Sequence, residues 1–211
     1  MNSKNIAVLD YGLGNVRSVS NALNSLGAKA QITNEKNVIF ESNGLIIPGV
    51  GAFPHAMANL FEYGLIDIIQ SYIQFNKPVL GICLGMQLLF DEGYEFEKTA
   101  GLGLITGEIK KIPILPTEGR LPHISWSQIS PSDFAKQTMF SGLSLNEMRF
   151  YFVHSYAATN VSNEHLSATT KYLNKNIVAA VQRDNIWGTQ FHPEKSGPSG
   201  LKLIKNFIDK C

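Results

Sequence analysis

Val79-Leu80-Gly81-Ile82-Cys83-Leu84-Gly85-Met86-Gln87-Leu88-Leu89-Phe90 is the stretch on which the reading of this chain turns. With Pro78 it forms the longest uncharged apolar run, too short to cross a bilayer. Val79 to Ile82 reads as a buried strand, and Met86 to Phe90 as a helix. Between them stands Gly81-Ile82-Cys83-Leu84-Gly85, the nucleophile-elbow pattern with cysteine in place of serine. A sharp strand-to-helix turn strains the backbone at its central residue, and the flanking glycines leave room for that strain. The turn presents the sulfur at the carboxyl end of the strand and at a helix N-terminus, where free N–H groups and the dipole favour thiolate. The competing reading is a small cysteine simply buried in such a turn; the strand before and the helix after favour chemistry.

Working outward, apolar runs alternate with helical spacing, the signature of βαβ units. Ile6 to Leu9 is a continuous apolar run, as expected of a strand covered on both faces. A Gly12-Leu13-Gly14-Asn15 turn follows. Val16, Val19, Leu23 and Leu26 then fall at helical spacing, with Gly27 placed as a C-terminal cap. Leu45 to Ile47 is a second strand, stopped by Pro48, and Leu65 to Phe75 reads as a helix. From Gly101 to Trp187 the signals are short and β-like: Ile109–Ile114, His123–Ile129, Arg149–Val153, Ile177–Val181 and Ile186–Phe191. Leu201, Ile204 and Ile208 share one face of a closing helix. The expected fold is α/β: a three-layer sandwich around a central mixed sheet, mainly parallel, with antiparallel additions in its second half. Residues 1–211 are expected to form one domain, with the site at the carboxyl ends of the parallel strands.

A cysteine nucleophile needs an acid–base partner, itself oriented by a third group. Of the five histidines, His192 is distinguished by its setting, Gln190-Phe191-His192-Pro193-Glu194. Pro193 biases His192 towards extended backbone, and residues two apart in such a segment share a side. Glu194 is therefore placed to hold one imidazole nitrogen while the other faces a substrate. Taken alone the motif is more often a surface turn; paired with an elbow cysteine it is less so. Pro48-Gly49-Val50-Gly51, directly after a strand, is a glycine loop able to turn an N–H inward, and Leu84 N–H follows the nucleophile; together they make a candidate oxyanion hole. Gly12-Leu13-Gly14 lacks the third glycine of a dinucleotide fingerprint, Arg17 standing there instead. No metal-ligand spacing appears, so neither metal nor cofactor is expected. Trp126 and the Phe150-Tyr151-Phe152 run read as core, and His123 and His154 as core or pocket.

Composition narrows the function classes. In 211 residues, 18 Lys+Arg against 17 Asp+Glu leave a net charge of +1 with no basic run, which argues against nucleic-acid or membrane-surface binding. Apolar residues at 44% and charged residues at 17% exclude a disordered or coiled-coil chain. The two cysteines, Cys83 and Cys211, make no disulfide framework, and a reduced, cytoplasmic setting is expected, without a secretory leader. Cys211, the last residue, is expected to fray.

Taken together, these motifs make the chain similar to the triad-type (class I) glutamine amidotransferases. Asp10-Tyr11-Gly12-Leu13-Gly14-Asn15, Pro48 to Phe53, Gly81 to Leu89, Gly101-Leu102-Gly103, Tyr151 to Tyr156 and Gln190 to Gly197 extend the resemblance over nearly the whole chain. Their combination resembles the glutaminase subunits of histidine biosynthesis. The resemblance implies Cys83, His192 and Glu194 as catalytic residues and Gly49, Val50, Gly51 and Leu84 as the oxyanion hole. It implies Gln87, Glu95, Ser155 and Tyr156 as contacts to the glutamine head, and Asn15, Trp126 and Lys195 on a docking face. The implied partner is a (β/α)8-barrel cyclase in a heterodimer, which receives ammonia and makes imidazole glycerol phosphate and 5-aminoimidazole-4-carboxamide ribonucleotide. The chain departs from the family at Pro122-His123-Ile124-Ser125-Trp126-Ser127, where P-H-M-G-W-N is usual, and at Thr106, where proline is common. The departures leave room for a paralogue that supplies ammonia to a sugar nucleotide in surface-glycan synthesis. A silent docking module and a free-standing cysteine hydrolase are the readings of other classes.

Overall fold

The computed structural model describes residues 3–211. The first half runs β1 (Asn5–Leu9), α1 (Val16–Ser25), β2 (Lys29–Thr33), α2 (Lys36–Glu41), β3 (Gly44–Ile47), α3 (Phe53–Glu62), α4 (Leu65–Gln74), β4 (Val79–Ile82) and α5 (Leu84–Gln87). The second half is β5 (Phe90–Gly93), β6 (Thr99–Ala100), β7 (Ile105–Lys111), β8 (His123–Pro131), α6 (Asp133–Gln137), β9 (Arg149–His154), β10 (Tyr156–Thr159), β11 (Leu166–Tyr172), β12 (Lys175–Arg183), β13 (Ile186–Thr189) and α7 (Gly197–Lys210).

A nine-stranded sheet in the order β2-β1-β3-β4-β13-β12-β11-β8-β9 forms the middle layer. Pairing is parallel from β2 to β13 and antiparallel from β13 to β9. The sheet is thus mixed as expected, with its parallel half built from the first strands plus β13. Successive residues of the central strands bury into opposite faces, as the pleat requires. Ile6 and Val8, Ile46, Leu80 and Ile82 face α1, α6 and α7. Ala7 and Leu9, Leu45 and Ile47, and Val79 face α2, α3 and α4. This is why Ile6–Leu9 reads as an unbroken apolar run: both of its faces are core. Helix α1 ends where Gly27 adopts φ +81, the left-handed cap conformation.

Four expectations are corrected. The helix after the elbow is a single turn, Leu84–Gln87, and Phe90 begins a strand. Leu88, Leu89 and Phe90 are apolar because they are buried on every side, and periodicity alone does not separate a buried helix from a buried strand. The β-like region does not all join the main sheet: β10-β7-β5-β6 form a second, four-stranded sheet. Its β7 starts at Ile105, earlier than the Ile109 boundary read from the apolar run. Cys211 is not frayed; its thiol donates to the Phe207 carbonyl at 3.1 Å, and burial pushes that thiol up to about 12.

One close approach fixes the elbow against the sheet. A Cβ on Gly85 would lie 1.8 Å from the Ile47 carbonyl oxygen, and one on Gly81 would lie 2.6 Å from the Gly85 carbonyl oxygen. Gly85→Ala is expected to cost about 3 kcal/mol or more, because backbone must move rather than a flexible side chain. Gly27→Ala meets open space and is expected to cost only about 1–2 kcal/mol for its positive φ. Denaturant titration of the two variants checks the order, and an equal loss would refute the steric account.

Candidate active site

Cys83 sits between β4 and α5 at φ 55, ψ −111. A non-glycine residue at this φ is strained, and two backbone bonds hold it there. Cys83 N–H donates to Thr189 O at 2.7 Å, and Gln87 N–H donates to Cys83 O at 3.1 Å. The first bond ties the elbow to β13, which pairs with β4 in register from Val79 opposite Ile186 to Ile82 opposite Thr189. His192 leaves that same β13 three residues later. Neighbouring parallel strands therefore deliver both groups to one end of the sheet.

The ring of His192 is oriented from behind. Its Nδ1 bonds Glu194 Oε1 at 2.8 Å, and Asn15 Nδ2 donates to the same oxygen at 3.3 Å. The backbone beneath is braced by Ser196, whose hydroxyl donates to His192 O at 2.6 Å and accepts from Tyr151 N–H at 3.0 Å. His192 Nε2 and Glu194 Oε2 are buried and find no hydrogen-bond partner among the described residues. Burial alone would lower the pKa of the His192 ring, but the Cys83 sulfur and the Glu194 carboxylate outweigh it and raise the value to about 10.

A cavity of about 300 Å³ opens over the sulfur. This is the lower end of the range for ligand sites, roughly 300–1,000 Å³, and suits a molecule of amino-acid size. Its walls include Val50, Gly51, Cys83, Leu84, Gln87 and Glu95. Ser155, Tyr156 and His192 line it as well. Gly49 lies behind the wall instead; a Cβ there would come within 2.6 Å of the Tyr11 hydroxyl and 2.8 Å of Leu84 Cβ. That hydroxyl donates to Pro48 O at 2.6 Å, and burial, with the nearby Cys83 charge, pushes its pKa up. Glu95 Oε2 accepts from Phe53 N–H at 2.8 Å, so the carboxylate also satisfies the first turn of α3.

Of the three residues expected on a docking face, Trp126 is 48% exposed on β8 beside the 57%-exposed Ile124, and Lys195 is exposed. Asn15 differs in being half-buried and reaching back to Glu194. A larger open cleft of about 650 Å³, lined by Asn43, Pro78, Asn185 and Cys211, lies at the opposite ends of the strands, far from any paired nucleophile and base.

The sequence left His154 open as core or pocket, and it stands in the cavity wall; Gln190, a neighbour of the sulfur, had no role assigned from sequence. His154 Nδ1 faces the Tyr156 carbonyl at 2.8 Å, so it carries the proton and its Nε2 accepts from His123 Nδ1 at 3.1 Å. His123 Nε2 then accepts from the hydroxyl pair of Ser125 (2.7 Å) and Ser127 (3.0 Å), which lie 2.6 Å apart, so that one hydroxyl donates to the ring and the other to its neighbour; these are two positions that depart from the usual family motif. Burial lowers both histidines to about 4.

With this geometry in place, similarity decides the family. Residues 7–211 match the glutamine amidotransferase class-I family. The chain belongs to the class-I glutamine amidotransferases. A Lactococcus lactis protein named imidazole glycerol phosphate synthase subunit HisH is 44% identical over 207 residues, covering 98% of this chain and 99% of that protein. A protein of the same name from Streptococcus mutans is 42% identical over 206 residues, covering 98% and 99%. In structure this amidotransferase resembles PurLQS from Thermotoga maritima, with TM-score 0.76 at 18% identity over 99% of both chains. A solved glutamine amidotransferase gives TM-score 0.72 at 18% identity over 98% and 99%. These two likenesses bear on the fold.

The ionisation states give a test. His192 has a raised value, so its contribution to stability is complete below about pH 6.5 and is lost as pH climbs through about 10. His123 and His154 have lowered values, so theirs is complete above about pH 6.5 and is lost as pH falls through about 4. NMR titration of the imidazole Cε1 protons is expected to show these opposite departures. In Glu194→Gln the His192 midpoint is expected to fall by about 1–3 units, because the opposite charge at Nδ1 is gone. An unmoved His192 midpoint would refute the Glu194 assignment.

Proposed function

We propose that this amidotransferase is the glutaminase subunit of an imidazole glycerol phosphate synthase. It hydrolyses glutamine and passes ammonia to a (β/α)8-barrel cyclase in histidine biosynthesis. The observation that carries the reading is Cys83 and His192 lining one amino-acid-sized cavity, with Glu194 bonded to His192 Nδ1 from behind. It occurs in a chain 41–45% identical to proteins named HisH over nearly its whole length.

Cys83 thiolate attacks the side-chain amide carbon of glutamine. The resulting oxyanion is held by Leu84 N–H and by the Gly49-Val50-Gly51 loop, where one donor contributes about 3–4 kcal/mol to the barrier. The tetrahedral adduct collapses as His192 gives its proton to the leaving nitrogen, releasing ammonia and leaving a thioester. His192 then takes a proton from water, which attacks the thioester carbon. The second collapse breaks the carbon–sulfur bond and frees glutamate. Glu194 balances the charge on His192 throughout. Gln87, Glu95, Ser155 and Tyr156 hold the α-amino and α-carboxyl groups of glutamine.

Ammonia released into water is protonated and lost to transfer, so a partner has to cover the site. Trp126 and Lys195 belong to the docking face of a heterodimer with the cyclase, and Asn15 connects that face to Glu194. Among the described residues no helix is long and apolar enough to cross a membrane, and a cytoplasmic location accords with the pathway. The glycan-pathway alternative rests on Ser125 and Ser127 alone, and both serve His123 inside the chain. It is not favoured.

Glutamate release by the full chain is expected to rise at least about tenfold when both the cyclase and its nucleotide ligand are added. Rates that ignore the cyclase would refute the subunit reading. Cys83→Ala is expected to abolish release while leaving cyclase binding, followed by sedimentation or calorimetry, unchanged. Residual turnover above about one part in a thousand would refute the thioester route. Lys195→Ala is expected to weaken cyclase binding several-fold with an unchanged melting temperature; binding at full strength would remove Lys195 from the interface.

A further inference from the structure

We infer that Gln190 is a further catalytic residue, its side-chain amide donating a hydrogen bond to the Cys83 sulfur. The inference rests on the reading of Cys83 as nucleophile and adds a group that none of the motif reasoning assigned. Gln190 is fully buried, and its Nε2 lies 3.8 Å from Cys83 Sγ. Sulfur is large, and its hydrogen bonds are correspondingly longer than those of oxygen.

Which end of the amide faces the sulfur follows from its neighbours, because one group in the network has a fixed polarity. The Tyr156 carbonyl can only accept. The Gln87 atom 3.0 Å from it is therefore the nitrogen. That same nitrogen lies 3.0 Å from the Gln190 side chain, where a second nitrogen would meet it donor to donor. Gln190 thus offers its oxygen to Gln87, and its NH2 is turned to the sulfur. His154 Nδ1–H secures the far end by donating to the same Tyr156 carbonyl at 2.8 Å. Backbone pairing holds the near end, Gln190 N–H donating to Ala179 O at 2.9 Å. Among the described residues none donates a hydrogen bond to Gln87 Oε1, and Gln87 lines the cavity wall.

A neutral donor locked in this direction distinguishes the states of sulfur. It bonds a thiolate strongly and a thiol or thioester weakly, since charge-assisted bonds are roughly twice as strong as neutral ones. Sulfur is anionic before attack and again on expulsion from the second tetrahedral adduct. Gln190 therefore raises the fraction of enzyme ready to react and eases the leaving of sulfur in deacylation. His192 gives its proton to ammonia and regains one from water between those two moments, whereas the Gln190 donor stays in place throughout.

The test is the pH profile of Cys83 alkylation by iodoacetamide, followed by mass spectrometry, in the full chain. Gln190→Met keeps the outline and removes the donor. Gln190→Glu keeps the acceptor for Gln87 and sets a carboxylate oxygen against the sulfur. The half-maximal pH is expected to rise by about one unit in Gln190→Met, and further in Gln190→Glu. Glutaminase kcat with the cyclase should fall in the same order while the glutamine KM changes less than threefold. Should Gln190→Glu fail to fold, Gln190→Met decides the matter by itself. Profiles that coincide with wild type overturn the role of Gln190 and leave Cys83 as nucleophile. Wild-type activity that survives complete alkylation of Cys83 overturns the nucleophile reading, and the role of Gln190 falls with it.

Discussion

Everything at the site depends on a residue held where its backbone would not go unaided. Cys83 at φ 55, ψ −111 costs of order 1–3 kcal/mol, and the sheet on both sides supplies the restraint. Thr189 O takes its N–H from one neighbour strand, while Ile47 on the other presses so close that only glycine fits at position 85. The G-x-C-x-G spacing is the sequence record of that squeeze. The glycines do not make the turn flexible; they let three strands and one helical turn converge on a single sulfur.

How much could be read beforehand depended on whether a segment is dictated by its own residues or by its surroundings. β1, β3 and β4 are apolar on both faces, so their sequences declare them. β2 is the edge strand, Lys29-Ala30-Gln31-Ile32-Thr33, with no fully buried residue; nothing in its composition demands a sheet. β11, Leu166-Ser167-Ala168-Thr169-Thr170-Lys171-Tyr172, is similarly polar and is specified by two antiparallel partners. Leu88 to Phe90 misled in the opposite direction, because complete burial erases the periodicity that separates helix from strand. At the site, the elbow and the His-Pro-Glu turn were legible because local geometry places their atoms. The Asn15–Glu194 bond, the Glu95 cap on α3 and the Gln190 amide join segments 179, 42 and 107 residues apart, and no local pattern carries such pairings.

The polar groups around the cavity sort into two populations by charge. Burial without a countercharge keeps His123 and His154 neutral, and as neutral rings each donates at one nitrogen and accepts at the other. They serve as rigid connectors. His192 is nearly as secluded, yet a sulfur and a carboxylate flank it and the charged form prevails. The same side chain is thus held neutral in one place and charged in another, with flanking charge rather than depth making the difference.

The pairing of β4 with β13 bears on how the enzyme comes into being. Cys83 and His192 follow strands that are next-door neighbours in the sheet but are separated by the whole antiparallel half of the chain. Closing so long a loop is a late and slow kind of event in folding, since the entropic cost precedes the contacts that repay it. During synthesis Cys83 leaves the ribosome long before His192 exists. Until the last strand of the parallel set is laid beside β4, the chain carries an unassisted thiol. The two groups meet only once the sheet itself is complete, so the geometry of the cavity is a property of the finished chain and of none of its parts.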